Sequence, residues 1–183
     1  MRLNRIAGLS AAVGLAIAPA AYAQDRAPAD ALKAEKQRID ADYKAEVERC
    51  SSQSGNARDI CRAQAKGKQK VAKAEAEAKH RGTPKAQMNA RVAQADAEYE
   101  VAKEKCDEQA GNAKDVCLKD AKAAHTKARA EARAAHASQD ARAEARKDAR
   151  EASYEAAKER CDALAGEAKD RCVADAKARF GRS

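Results

Sequence analysis

Large apolar side chains are sparse in this chain, yet they fall at helical spacing. Leu32, Ile39, Tyr43, Val47 and Cys50 follow at intervals of seven, four, four and three, which is one face of a helix. Met88, Val92, Tyr99 and Cys106 repeat the pattern at four, seven and seven. The residues between them are mostly Ala, Lys, Glu, Arg and Gln, the strongest helix formers. The pattern predicts helical arms over Pro28–Gln53, Asn56–His80, Pro84–Gln109 and Ala168–Phe180. Between Ala113 and Leu164 there is no Gly or Pro. That stretch reads as one helix of about 50 residues and about 75 Å. Arg81-Gly82-Thr83-Pro84 is the sharpest break: Gly ends one helix, Thr caps the next and Pro takes its first position.

The arms belong to an internal repeat. Tyr43, Cys50, Gly55-Asn56-Ala57-Arg58-Asp59 and Cys61 return as Tyr99, Cys106, Gly111-Asn112-Ala113-Lys114-Asp115 and Cys117. A third copy runs Tyr154, Cys161, Gly166-Glu167-Ala168-Lys169-Asp170 and Cys172. All six cysteines fall in three C-x10-C units. In an unbroken helix, cysteines eleven apart would stand about 16 Å from each other along the axis. A disulfide needs Cα atoms within about 7 Å. A hairpin bent at the Gly-Asn step would put each cysteine five residues from the turn, one on each arm. The repeat thus favours Cys50 with Cys61, Cys106 with Cys117, and Cys161 with Cys172; long helices with bonds between chains are the alternative. In the hairpin, Gly55 would stand just past one helix and Asn56 would cap the next, with Asp59 as the capping-box acid.

Composition limits what the arms can build. From Gln24 onward 43 residues are Ala, and only 13 are Leu, Ile, Val, Met or Phe. So few large side chains cannot fill a conventional core, and alanine buries little apolar surface per residue. Disorder competes, but the charges are nearly balanced and interspersed. The fold class expected is all-α: elongated, coiled-coil-like helical hairpins in three repeats, each held by a disulfide. The domains expected are 24–81, 82–137 and 138–183. Tyr43, Tyr99, Tyr154 and Leu164 are the expected packing elements near each turn. The stretch Ala123–Ser153 contains no Leu, Ile, Val, Met, Phe or Tyr. It would be a single-helix spacer, or fray near Ser138. Its i,i+4 pairs Asp140–Glu144, Glu151–Glu155 and Glu155–Glu159 repel, so ionic pairing gives it no clear support.

The N-terminus sets the compartment. Arg2 and Arg5 precede an apolar run from Ile6 to Ala18, Pro19 breaks it, and Ala21-Tyr22-Ala23 offers small residues for cleavage. Residues 1–23 therefore read as a secretory signal peptide. The apolar run is shorter than the roughly 20 residues of a membrane span. Removing this leader lowers the formal charge from +8 to +6. Paired cysteines fit an oxidising destination.

Little in the sequence carries chemistry. C-x10-C is not the C-x-x-C of a thioredoxin-type site. His80, His125 and His136 do not repeat with the cysteines and read as solvated helix histidines, so no metal site is expected. No phosphate loop or Gly-x-Ser-x-Gly is present, and no cofactor or enzymatic activity is expected. Lys66, Lys68, Lys70 and Lys73 with Arg62 make the densest positive run. Acids are interleaved throughout and no aromatic stacking platform exists, which argues against nucleic acid. Weak attraction to an anionic surface is compatible with the charge.

The segment YEVAKEKCDEQAGNAKDVCLKDAK, from Tyr99 to Lys122, resembles a family of exported Ala/Lys-rich proteobacterial proteins, some labelled TolA-like cell-envelope proteins. The repeats at 43–66, 99–122 and 154–177 carry the likeness; the first has GNARDIC and the third GEAKDRC. The resemblance implies a Gram-negative periplasm and supplies no catalytic residues. The expectation is a non-enzymatic periplasmic structural or interaction protein of the envelope, with a part in stress included. Its partners would be a second copy, an envelope protein or an anionic surface. A thiol-redox or metal-buffering protein is the alternative of a different class.

Overall fold

The computed structural model describes residues 26–182; the signal peptide expected over 1–23 lies outside them. Five helices follow in order: α1 (Arg26–Cys50), α2 (Gly55–Arg81), α3 (Pro84–Cys106), α4 (Gly111–Cys161) and α5 (Gly166–Phe180). Each packs on its neighbour in sequence, α1 on α2, α2 on α3, α3 on α4 and α4 on α5. The architecture is a helical meander of hairpins, and the C-x10-C repeat places one cystine at three of its four turns.

The fourth turn joins α2 to α3 without a cystine and uses capping chemistry instead. Gly82 takes a left-handed conformation, φ 63°, and its N–H closes on the Ala78 carbonyl. The Thr83 hydroxyl accepts from the Ala86 N–H at 3.2 Å, and Pro84 opens α3. This is the Gly-Thr-Pro punctuation expected from the sequence.

The three cystine turns differ from the expected symmetric bend. Cys50, Cys106 and Cys161 are each the last residue of a helix, while Cys61, Cys117 and Cys172 are each the seventh residue of the next. Gly55, Gly111 and Gly166 are first residues of helices, with φ near +55°. They are not terminators of the preceding helix. Asn56 consequently lies inside α2 rather than capping it, and Ser54, Ala110 and Ala165 before the glycines give no side-chain cap. Asp59, Asp115 and Asp170 are fifth residues, beyond the capping-box position.

Alanine does the packing that large side chains do elsewhere. The buried apolar residues are Ala65, Ala76, Ala86, Ala95, Ala132 and Ala176, with Cys50, Cys106 and Cys161. Leu164, expected to pack, is 44 % exposed in the α4–α5 turn, and Val116 is 47 % exposed. Small residues work here because they let helix axes approach. At Gly67, in the middle of α2, a methyl group in place of hydrogen would stand 3.0 Å from the Ala97 Cβ on α3.

α4 is continuous for 51 residues, about 76 Å, and passes through the 137/138 division without a break. Its first half packs on α3 and its last turns on α5. Residues 137–153 are exposed without exception. Charge pairs do form in and beside this stretch. Glu144 meets Lys147 at 3.1 Å and Glu155 meets Lys158 at 3.6 Å, both at i,i+3, while His136 meets Asp140 at 3.1 Å. The partners of Glu144 and Glu155 stand three residues away, on the same face, where the like-charged neighbours at four do not block them.

Two stability tests follow from this packing. Gly67→Leu should force α2 and α3 apart and cost about 1–3 kcal/mol in urea unfolding, with part recovered by Ala97→Gly in the same chain. Replacing Cys161 and Cys172 together by Ser should release α5, since a helix of 15 residues is marginal alone. Its amides would then exchange almost as fast as an unstructured peptide, while those of α2 and α3 stay protected.

Candidate functional site

The cystine turns are the most regular chemical feature. Their Cα atoms stand 5.7, 5.7 and 5.6 Å apart, against the 16 Å or so of a continuous helix. All six cysteines are bonded in the pairing favoured by the repeat. At two turns an ion pair bridges the same positions: Asp107 to Lys114 and Asp162 to Lys169, each at 2.8 Å. These hydrogen bonds raise both lysines above their ordinary 10.5 and hold the Asp162 carboxyl below its ordinary 3.8. The first turn has Ser51 and Arg58 at those positions and cannot form the pair. Ser51 and Ser52 instead donate to the Glu48 and Arg49 carbonyls, at 2.6 and 2.9 Å.

A second recurring feature crosses each hairpin away from the turn. Tyr99 stacks on His125, ring centroids 4.5 Å apart, and Tyr154 meets Phe180 edge-on at 6.1 Å. Gln69, His125 and Phe180 each lie eight residues past the second cysteine of their repeat. Beside each rung lies an acid at equivalent positions, Asp40, Asp96 and Glu151. Asp40 accepts from Gln69 at 2.5 Å and pairs with Lys73 at 2.5 Å. Asp96 holds His125 at 2.6 Å and Arg129 at 3.6 Å, and Glu151 pairs with Arg182. Tyr99 and Tyr154 therefore do pack within their own hairpins. The rungs could have been found by carrying the repeat eight residues past its last cysteine.

The histidines are not solvated as expected. Their side chains are only 16–20 % exposed, and each meets a carboxylate. His80 Nε2 lies 2.9 Å from Glu35 across the first hairpin. His125 has its Nε2 on Asp96, which also meets Arg129, and its ring face under Tyr99. Among the described residues, no group of three His, Cys, Asp or Glu side chains could hold a metal ion. No helix among them is long and apolar enough to cross a membrane. The dense basic run is partly neutralised, Lys68 by Glu46 at 3.1 Å and Lys73 by Asp40.

Against family models, curated proteins and solved structures, this chain matches none.

The open surfaces are grooves and one bare helix. A groove of about 780 Å³ runs between α2 and α3, floored by Gly67, Val71, Ala97 and Val101 and edged by Lys68 and Lys105. It gathers no cluster of reactive groups. The bare helix is the middle of α4, and it presents charge rather than a cavity.

The ion pairs of the first hairpin make its stability depend on pH. The His80 hydrogen bond holds the Glu35 carboxyl below its ordinary 4.5, and Lys36, at 2.5 Å, does the same for Glu77. Lys73, then Gln69, hold Asp40 below 3.8. A carboxyl lowered by folding stabilises the fold above its unfolded value, and that contribution is lost as pH falls through the folded value. The α1–α2 hairpin should therefore loosen below about pH 4. Amide exchange in α1 at pH 3 against pH 7 would show it, and Glu35→Gln with Glu77→Gln should flatten the difference.

Proposed function

We propose that this chain is a non-enzymatic structural or interaction protein of the Gram-negative periplasm. The single observation that carries the reading is α4. It is one helix rooted in a cystine turn at each end, with an uncovered stretch over residues 137–153 between the α3 contact and the α5 contact. Such an element holds two packed regions at a fixed spacing and offers its sides to partners. The export-type leader, the paired cysteines and the likeness to exported Ala/Lys-rich envelope proteins support the compartment. The bonded state of all six cysteines weighs against thiol-redox or metal-buffering work, which needs a thiolate.

The test is fractionation of cells with thiols trapped, followed by non-reducing peptide mapping of the recovered chain. A soluble periplasmic protein lacking residues 1–23, with bonds at 50–61, 106–117 and 161–172, is the expected result. A reduced cytoplasmic chain would refute the reading. Free thiols in the periplasmic fraction would move redox or metal chemistry to the front. Recovery on membranes, with release by salt, would favour an anionic-surface binder instead.

A further inference from the structure

The bare stretch of α4 and the turns after it have most of their charges sorted by face. Lys147 and Lys158 are the exceptions, at the margin of the acidic side that lies away from the alanines, where they pair with Glu144 and Glu155. At about 100° per residue, Asp140, Glu144, Asp148, Glu151, Glu155 and Glu159 fall within an arc of about 100°. Arg142, Arg146, Arg150 and Arg160 fall within an arc of about 80° on the far side. Between the two edges, Ala141, Ala145, Ala149, Ala152 and Ala156 form a ridge, all exposed. The spacing repeats every eleven residues: Ala134, Ala145 and Ala156, then Ala141 and Ala152, then His136, Lys147 and Lys158. An eleven-residue period keeps a ridge almost parallel to the helix axis.

Two further observations concern this face. The residues that meet α3 and α5, Ala132, Tyr154 and Cys161 among them, lie on the opposite side of α4, so the bundle leaves the ridge open. The arginine edge also has no partner of its own: Arg142, Arg146, Arg150 and Arg160 form no ion pair among the described residues. On the acidic edge Asp148 and Glu159 are likewise unpaired there, and the i,i+3 pairs of Glu144 and Glu155 are exposed and readily exchanged.

The geometry points to a second copy of this chain, lying parallel on α4, as the occupant of that face. In a parallel pair related by a twofold axis along the helices, each edge meets the opposite edge of its partner, so acids face arginines. In an antiparallel pair each edge meets itself, acid on acid and arginine on arginine. An anionic polymer would meet the acidic edge along with the basic one. The alanine ridge lets the two axes close to the range in which these charges meet, as α2 and α3 already do at Gly67 and Ala97. This pairing rests on the reading of the chain as an interaction protein, but it is tested separately, on purified material.

Sedimentation equilibrium of the full oxidised chain at low ionic strength should show mass doubling with concentration. Raising the salt from about 0.05 to about 0.5 M should weaken the association at least about tenfold. Arg142, Arg146 and Arg150 all changed to Glu gives two acidic edges; Asp140, Glu144 and Asp148 all changed to Lys gives two basic ones. Each variant alone should remain monomeric while retaining its helicity by circular dichroism, and the two mixed should form a heterodimer. Ala134→Cys should cross-link to itself, which an antiparallel pair centred on Ala145 forbids by about 33 Å. A monomer at every concentration, a dimer indifferent to both charge reversals, or cross-linking of Ala134→Cys only to Ala156→Cys would overturn the proposal. Any of these would leave the periplasmic scaffold reading standing.

Discussion

Three of the four turns in this fold are closed covalently, and the hairpins they join depend on that closure. A helix needs a hydrophobic stripe pressed against something, and these helices have almost none. The cystine supplies the missing constraint at the point where it is most effective, at the last residue of the first helix and less than two turns into the second. Cross-links of this kind are worth about 2–4 kcal/mol, comparable with the burial of one or two large side chains. The Cys50, Cys106 and Cys161 side chains are also the most completely buried in the described structure. Each staple is thus the local core as well as the tether.

Beyond the turns, the hairpins are held by contacts that cost little volume. Alanine faces alanine or glycine across α2 and α3, and each hairpin adds one rung in which an acid on one arm reaches the other arm. The crossing keeps its place in the repeat while its chemistry changes. Asp40 reaches Gln69, Asp96 reaches His125, and Phe180 is met by Tyr154 while Glu151 reaches Arg182. What recurs is the crossing, not a particular side chain.

Much of the fold was legible because helix punctuation and cysteine spacing are local signals with geometric consequences. The Gly82-Thr83-Pro84 corner, the long uninterrupted α4 and the pairing of the cysteines could all be read from the chain. The shape of the cystine turn could not. Symmetry about Gly-Asn suggested a bend there, but the first helix stops five residues earlier, at the cysteine, and the glycine's left-handed backbone starts the second. Periodicity also says which face a residue occupies without saying what stands opposite. For this reason the histidines looked solvated and Leu164 looked buried. The face of α4 that carries the sorted charges was present in the sequence all along, but only the bare stretch of the fold shows that nothing among the described residues covers it.

The alanine and cystine core has a thermal consequence. The heat-capacity change of unfolding follows the apolar surface newly exposed to water, and this interior has little to expose. The curve of stability against temperature should therefore be shallow, with less curvature than a globular domain of equal length. The hydrophobic contribution that fades on cooling is small here to begin with. With the main helix contacts running between sequence neighbours, hairpins can also open one at a time. Such a chain softens gradually over a broad span of temperature instead of collapsing at one, and the three turns still closed by a cystine are ready to reform.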